Sequence, residues 1–224
     1  MQITQAQWNN YIKQLSALSN EAGAKMKAYL NTYGLSNQDE LLKYAMGLVQ
    51  KYGEGSATLA CQMYDEIAAL SGANVPLAVP ADVASQHEVA KGVIGSLKQS
   101  PAGNLIDGVV SRFVKQAGAD TTLKNAKRDG CEFAWIPSGD TCAFCLTLAS
   151  AGWRKAGPKT IKGDHAEHIH PHCNCQYCVR FNSSTSVAGY DPDALKDIYD
   201  NAEGKSSKDK INYIRREMYA DRKK

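Results

Sequence analysis

No feature of this chain limits its folding options more than the stretch from Cys142 to Cys178, which holds five of the seven cysteines and four of the five histidines. It opens on Cys142-Ala143-Phe144-Cys145 and closes on His165-Ala166-Glu167-His168-Ile169-His170-Pro171-His172-Cys173-Asn174-Cys175-Gln176-Tyr177-Cys178, two ligand-dense knuckles on either side of a loop. Two thiols with two residues between them can bend round one ion with thiolate bonds of about 2.3 Å, and a second pair completes the closed tetrahedron of a structural zinc site. The expected metal set is Cys142, Cys145, His170 and one of Cys173 or Cys175, because His170-x-x-Cys173 repeats the first spacing and Pro171 stiffens the turn between them. Cys178 stands in reserve, and His165, His168 and His172 lie outside the set. Disulfides, a reactive thiol pair and small core residues are the competing readings of the same cysteines. Paired C-x-x-C spacing and the neighbouring histidines favour zinc, since a disulfide has no use for imidazole.

At 224 residues the chain has room for one well-filled core or two modest domains. A net charge of +3 offers no field strong enough to steer the whole molecule onto nucleic acid. The end is locally basic: Lys205, Lys208, Lys210, Arg215, Arg216, Arg222, Lys223 and Lys224 stand against Asp209, Glu217 and Asp221. The first residues lack the basic and apolar regions of a secretory signal, and no apolar run approaches the roughly 20 residues that a spanning helix needs. A soluble protein made in a reducing cytosol is expected, without a membrane segment. There, clustered cysteines are more often metal ligands or catalytic thiols than disulfides.

Period and capping signals make the first half helical. Trp8, Tyr11, Ile12, Leu15, Leu18, Ala22, Met26 and Tyr29 form an apolar stripe over Thr4 to Leu30, with Thr4 and Gln7 spaced as a capping box. A second helix is expected from Ser36 and Asp39 to a stop at Gly53, and a third from Ser56 to Leu70. Pro76 and Pro80 make a connector. Asp82 is expected to cap a fourth helix carrying Val89, Val93 and Leu97, on which His87 has no catalytic recommendation. A fifth holds Leu105, Ile106, Val109, Val110, Phe113 and Val114, with a polar continuation that ends at Asp129-Gly130. Cys131 to Ile136 alternates like a short strand, and Pro137 to Asp140 turns the chain into Cys142. A short helix leaves the first knuckle, Tyr177 to Phe181 is a strand leaving the second, and Trp153 and Lys159 to Gly163 are further strand or loop pieces. Asn182 to Ser186 reads as a polar linker before two helices, one starting at Asp191-Pro192 and one after Gly204.

The expected class is therefore α+β and predominantly helical: a helical region over 1–129, a zinc-binding module over 130–182, and a linker with a basic helical tail over 183–224. A module of about fifty residues has little apolar material of its own, and a metal offsets its chain entropy.

Gly130-x-x-Phe133-x-Trp135, Asp140-x-Cys142-x-x-Cys145-x-x-Leu148 and His170-Pro171-x-Cys173-x-Cys175 together resemble the C-terminal motif of the phage Mu F-like (SPP1 gene-7-like) minor head proteins. The ordered set covers about Gly130 to Cys175; Asn174 stands where that family has arginine, and Cys178 is an extra thiol. The resemblance implies a minor capsid protein in the virion head, a structural component acting in head morphogenesis or DNA delivery. Its implied partners are the portal or the major capsid protein, with packaged DNA meeting the basic tail. Three rivals share the residues. His165-Ala166-Glu167 has the H-x-E form of a zinc-dependent nucleobase deaminase, but its two-cysteine knuckle should follow, not precede. Asp164-His165, Pro171 and Asn174 suggest a His-Asn-His-type nuclease, which lacks here any histidine after His172. A zinc-stabilised nucleic-acid-binding module would use Trp153, Arg154, Lys155 and the tail.

Overall fold

The computed structural model describes residues 2–138, 141–161, 166, 169–170 and 173–221. Their elements, in order, are β1 (Gln2–Ile3), α1 (Gln5–Tyr33), α2 (Gln38–Leu70), α3 (Gln86–Gln99), α4 (Ile106–Asp129), β2 (Glu132–Ile136), α5 (Ala143–Ala149), β3 (Arg154–Lys155), β4 (Gln176–Arg180), β5 (Ser186–Val187), α6 (Pro192–Asp200) and α7 (Ser207–Asp221). The protein is thus predominantly helical with a small sheet, as its sequence patterning indicates.

α1 opens on the expected capping box: Thr4 Oγ1 accepts the Gln7 amide at 3.2 Å, and Gln7 Oε1 accepts the Thr4 amide at 3.0 Å. The exchange satisfies donors that a helix start leaves open. The second and third expected helices are in fact one. α2 starts from an Asn37 cap and passes Gly53 without a break. Gly53 serves close approach instead of a stop, because a Cβ there would lie 2.9 Å from Val83 Cγ1 and 3.6 Å from Ala117 Cβ. Asp82 likewise does not cap α3; Ser85 does, in a reciprocal box with Glu88. The reason is local: three residues after Asp82 comes Ser85, too short to return the bond, whereas three after Ser85 comes a glutamate.

α4 is the axle of the helical body, packed by α1, α2, α3 and the sheet strands β2 and β4. Enclosure on so many sides buries its polar continuation. Lys115, Gln116, Asp120, Thr121, Thr122 and Asn125 are each less than a tenth exposed. Several of these groups satisfy the connector, whose prolines keep residues 73–85 out of helix and strand. The Val79 amide donates to Asn125 Oδ1 at 3.0 Å, Asn125 Nδ2 donates back to the Val79 carbonyl at 2.8 Å, and the Ala81 amide donates to Thr121 Oγ1 at 3.0 Å. Arg128 reaches the carbonyls of Pro76 and Leu77. Asn125→Leu keeps the branched shape and the number of heavy atoms and removes every side-chain hydrogen bond, leaving Val79 unsatisfied. It is expected to cost about 1–3 kcal/mol, read as a lower urea midpoint at an unchanged slope.

The three-stranded sheet has the order β3-β2-β4, antiparallel throughout. Glu132 pairs with Arg180 across the ladder, an ion pair at 2.6 Å, and Trp135 faces Tyr177 edge-on at 4.7 Å between ring centroids. Helices α2 and α4 lie against β4, while α5 packs on β2. The expected linker at Asn182 to Ser186 is structured: Thr185 is fully buried and Ser186 and Val187 form β5, parallel to β1. Ile3 and Val187 thereby enter the same core cluster as Trp8, Tyr11, Tyr64, Phe133, Trp135, Cys145 and Cys178. Beyond β5, α6 starts at an Asp191 cap with Pro192 in its first turn, and α7 covers α5 through Ile214 and its neighbours. His87 is exposed.

Candidate metal centre

Two backbone knuckles build the site. Cys142 is the N-cap of α5, and its Sγ accepts the Cys145 amide at 3.5 Å. Just before β4, Cys173 Sγ accepts the Cys175 amide at 3.3 Å. In each case a backbone amide donates to a sulfur, which fixes the direction in which the thiol side chain points. β2 and β4 are neighbours in the sheet, so the end of one ladder brings both knuckles together.

The sulfurs and the imidazole converge on Cys145. Cys145 Sγ lies 3.4 Å from His170 Nε2 and 3.2 Å from Cys173 Sγ, and Cys142 Sγ lies 3.6 Å from His170 Nε2. A tetrahedral zinc with thiolate and imidazole ligands has edges of about 3.8 Å between sulfurs and about 3.6 Å between sulfur and nitrogen. The cluster already has that scale. Two triads, Cys142-Cys145-His170 and Cys145-Cys173-Cys175, keep their donor atoms within 4.8 Å of one another and can hold a metal ion. All seven cysteines are free thiols. Cys145 is fully buried, Cys175 nearly so, and His170 sits at the rim with its ring edge-on to Phe144 at 6.3 Å.

Cys142, Cys145 and His170 and both candidates for the fourth ligand, Cys173 and Cys175, lie in one or other triad, and Cys178 lies in neither. Its side chain is buried in the core, with Sγ 3.6 Å from the Val179 carbonyl. Burial pushes its thiol up, and pushes that of Cys131 to about 11, which suits both to inert packing. His165, His168, His172, Glu167, Asp164 and Pro171, on which the deaminase and nuclease readings depend, fall outside the described residues, as does Asp140.

The three thiols Cys145, Cys173 and Cys175 do not ionise independently. Hydrogen bonds with Cys173 and Cys175 push the Cys145 thiol far up, while hydrogen bonds from Cys145 and Cys173 pull Cys175 down to about 4. The trio thus holds one negative charge readily and a second with difficulty, because like charges at this distance repel. A divalent cation at the centre would replace the shared protons and remove that conflict.

The sequence reading missed the partners that α4 supplies. Lys115 Nζ donates to the Cys173 carbonyl at 2.8 Å, Gln176 Nε2 donates to the Lys115 carbonyl at 3.2 Å, and the Ala166 amide donates to Asp120 Oδ1. Burial lowers the Lys115 ammonium, and the Cys173 and Cys175 thiols oppose that shift. A lysine five residues before an aspartate in a polar helix stretch carries no local signal of this role.

These features define a helical protein whose small sheet gathers cysteines and a histidine into a cluster able to hold a metal. Residues 2–202 match the VG15 protein family; the chain belongs to it, and the match points to a viral gene product. The matched span runs from β1 through α6 and includes the whole cluster. No curated protein matches the chain, and no solved structure does. Among the described residues, no helix is long and apolar enough to cross a membrane.

Proposed function

We propose that this protein is a phage minor head protein: a structural component of the virion, at the portal or in the head interior, that acts in head morphogenesis or DNA delivery and carries a structural zinc ion. The observation that carries this reading is the convergence of Cys142, Cys145 and His170 with Cys173 and Cys175. They are the positions of the motif by which the chain resembles the phage Mu F-like minor head proteins, in a chain of a viral family. On this reading residues 1–129 are the platform, 130–182 the metal-bearing module and 183–224 the basic helical end. Four protein ligands leave no open position for water or substrate, so the zinc fixes loops and does no chemistry. Partners are the portal or major capsid protein, and packaged DNA meets the exposed Lys208, Arg215 and Arg216 of α7.

Purified protein is expected to hold one zinc per chain by elemental analysis, and virions are expected to contain the chain in few copies by quantitative mass spectrometry. Chelation should loosen the loops around Cys142 and Cys173, seen as faster amide exchange there than in α1 or α2. Absence of the chain from purified virions sinks the assignment to the head. DNA binding through the tail should weaken steeply with salt and fade when residues after Gly204 are removed; binding indifferent to salt excludes that contact.

A further inference from the structure

Helix α7 is fastened to the body through one short element. Its principal packing is against α5 and α6, and α6 in turn packs on α5. The contact is a small apolar cluster of its own, in which Ala143 and Leu146 of α5 are buried with Ala202 and Ile214. The chain entering α6 is tied to the other end of the same helix, where the Tyr190 hydroxyl donates to the Ala149 carbonyl at 2.8 Å. α5 is seven residues long, and its start carries two of the candidate ligands, Cys142 as N-cap and Cys145 in the first turn. Ala143 and Leu146 each follow a cysteine by one residue, which is about 100° round a helix. One side of α5 therefore faces the sheet core and the cysteine-histidine cluster, while the side one step on carries the α6–α7 hairpin. A helix of this length does not hold itself together in water, so whatever fixes one side also prepares the other.

We propose that metal binding and the docking of the α6–α7 hairpin are linked through α5. An ion held by Cys142 and Cys145 strengthens the seat of the hairpin, and the docked hairpin strengthens the hold on the ion. The inference rests on the zinc reading above and adds to it a regulation of the site from the end of the chain. By reciprocity, each event changes the free energy of the other by the same amount. The exposed Lys208, Arg215 and Arg216 ride on α7, so the ion sets how firmly this basic face is held against the body.

The linkage is measured from both ends in the full chain. Zinc affinity, by competition with a chromophoric chelator, is compared between the wild type, Ile214→Asp and Val49→Ala. Ile214→Asp puts a charge into the buried seat of α7 without touching a ligand. Val49→Ala thins a core cluster of the helical body to which α5 does not belong. Ile214→Asp is expected to bind zinc about 5–150-fold more weakly, and Val49→Ala as tightly as the wild type. From the other end, amide exchange in the wild type should quicken along α6 and α7 on chelation and stay unchanged in α1 and α2. If Ile214→Asp does not fold, or leaves α7 protected, this second measurement decides alone. Wild-type zinc affinity in Ile214→Asp, with α7 undocked by its fast exchange, overturns the proposal. So does exchange in α7 that is indifferent to chelation, and so does an equal loss of affinity in Val49→Ala, which makes the effect one of overall stability. In those three cases the zinc reading stands. A wild type that binds no zinc removes the zinc reading and this inference together.

Discussion

Cys145→Ser is expected to take the protein from one bound zinc per chain to none, and to lower its melting temperature more than any other single cysteine change. Cys145 is the member that both triads share, it is fully buried, and its sulfur lies within 3.5 Å of both His170 Nε2 and Cys173 Sγ. Serine offers a neutral hydroxyl where zinc needs a soft anion, so the ion loses its central ligand while three remaining donors stay crowded together. A ligand present at 1,000 times its dissociation constant stabilises a fold by about 4.1 kcal/mol, and a kilocalorie moves the midpoint of a chain this size by about 2–4 °C. A fall of roughly 8–16 °C in saturating zinc follows. Cys178→Ser is the control: its sulfur belongs to the sheet core, so zinc content should stay at one per chain while the buried hydroxyl costs about 1–3 kcal/mol. Cys173→Ser and Cys175→Ser then separate the remaining candidates, because the fourth ligand is whichever one empties the site. Retention of zinc by Cys145→Ser would end the case for a closed centre.

What the sequence made legible is what depends on short-range chemistry. Thr4 with Gln7 announced α1, Asp191-Pro192 announced α6, and the C-x-x-C and H-x-x-C spacings announced the cluster, because caps and knuckles are built from residues three or four apart. Errors arose where a distant surface decides. Gly53 looks like a helix stop until Val83 and Ala117 are placed against it. Lys115, Asp120 and Asn125 read only as a polar continuation of the helix until the connector and the cysteine-rich loops are laid over α4. The pairing of β1 with β5 joins two-residue strands from opposite ends of the chain, and nothing local in Gln2-Ile3 specifies that partner. A single sequence reports the groups that bind an ion far better than it reports the buried charges that hold those groups in place.

Trp8→Ala tests how far the helical body and the cysteine-rich segment depend on each other. Trp8 is 1% exposed on the first turns of α1, and it shares one core cluster with Tyr64 of α2 and with Phe133, Trp135 and Cys178 of the sheet. Truncating a buried tryptophan typically costs about 3–5 kcal/mol through lost burial and the cavity left behind, a large part of the roughly 5–15 kcal/mol that keeps a domain folded. The loss is eased slightly here, since the indole Nε1 is buried without a partner. The variant has a convenient property: of the three tryptophans only Trp135 and Trp153 remain, both after Gly130, so all indole emission then reports the sheet and its loops. Circular dichroism reports the helices. A shared core requires both signals to move to lower urea together, with coincident midpoints and a loss of about 3–5 kcal/mol. Should the helical signal fall while the emission of Trp135 and Trp153 keeps a separate, later transition, the cysteine-rich segment folds by itself and the core is two cores in contact. The continuity of the cluster from Ile3 through Trp8 to Val179 makes the coincident outcome the expected one.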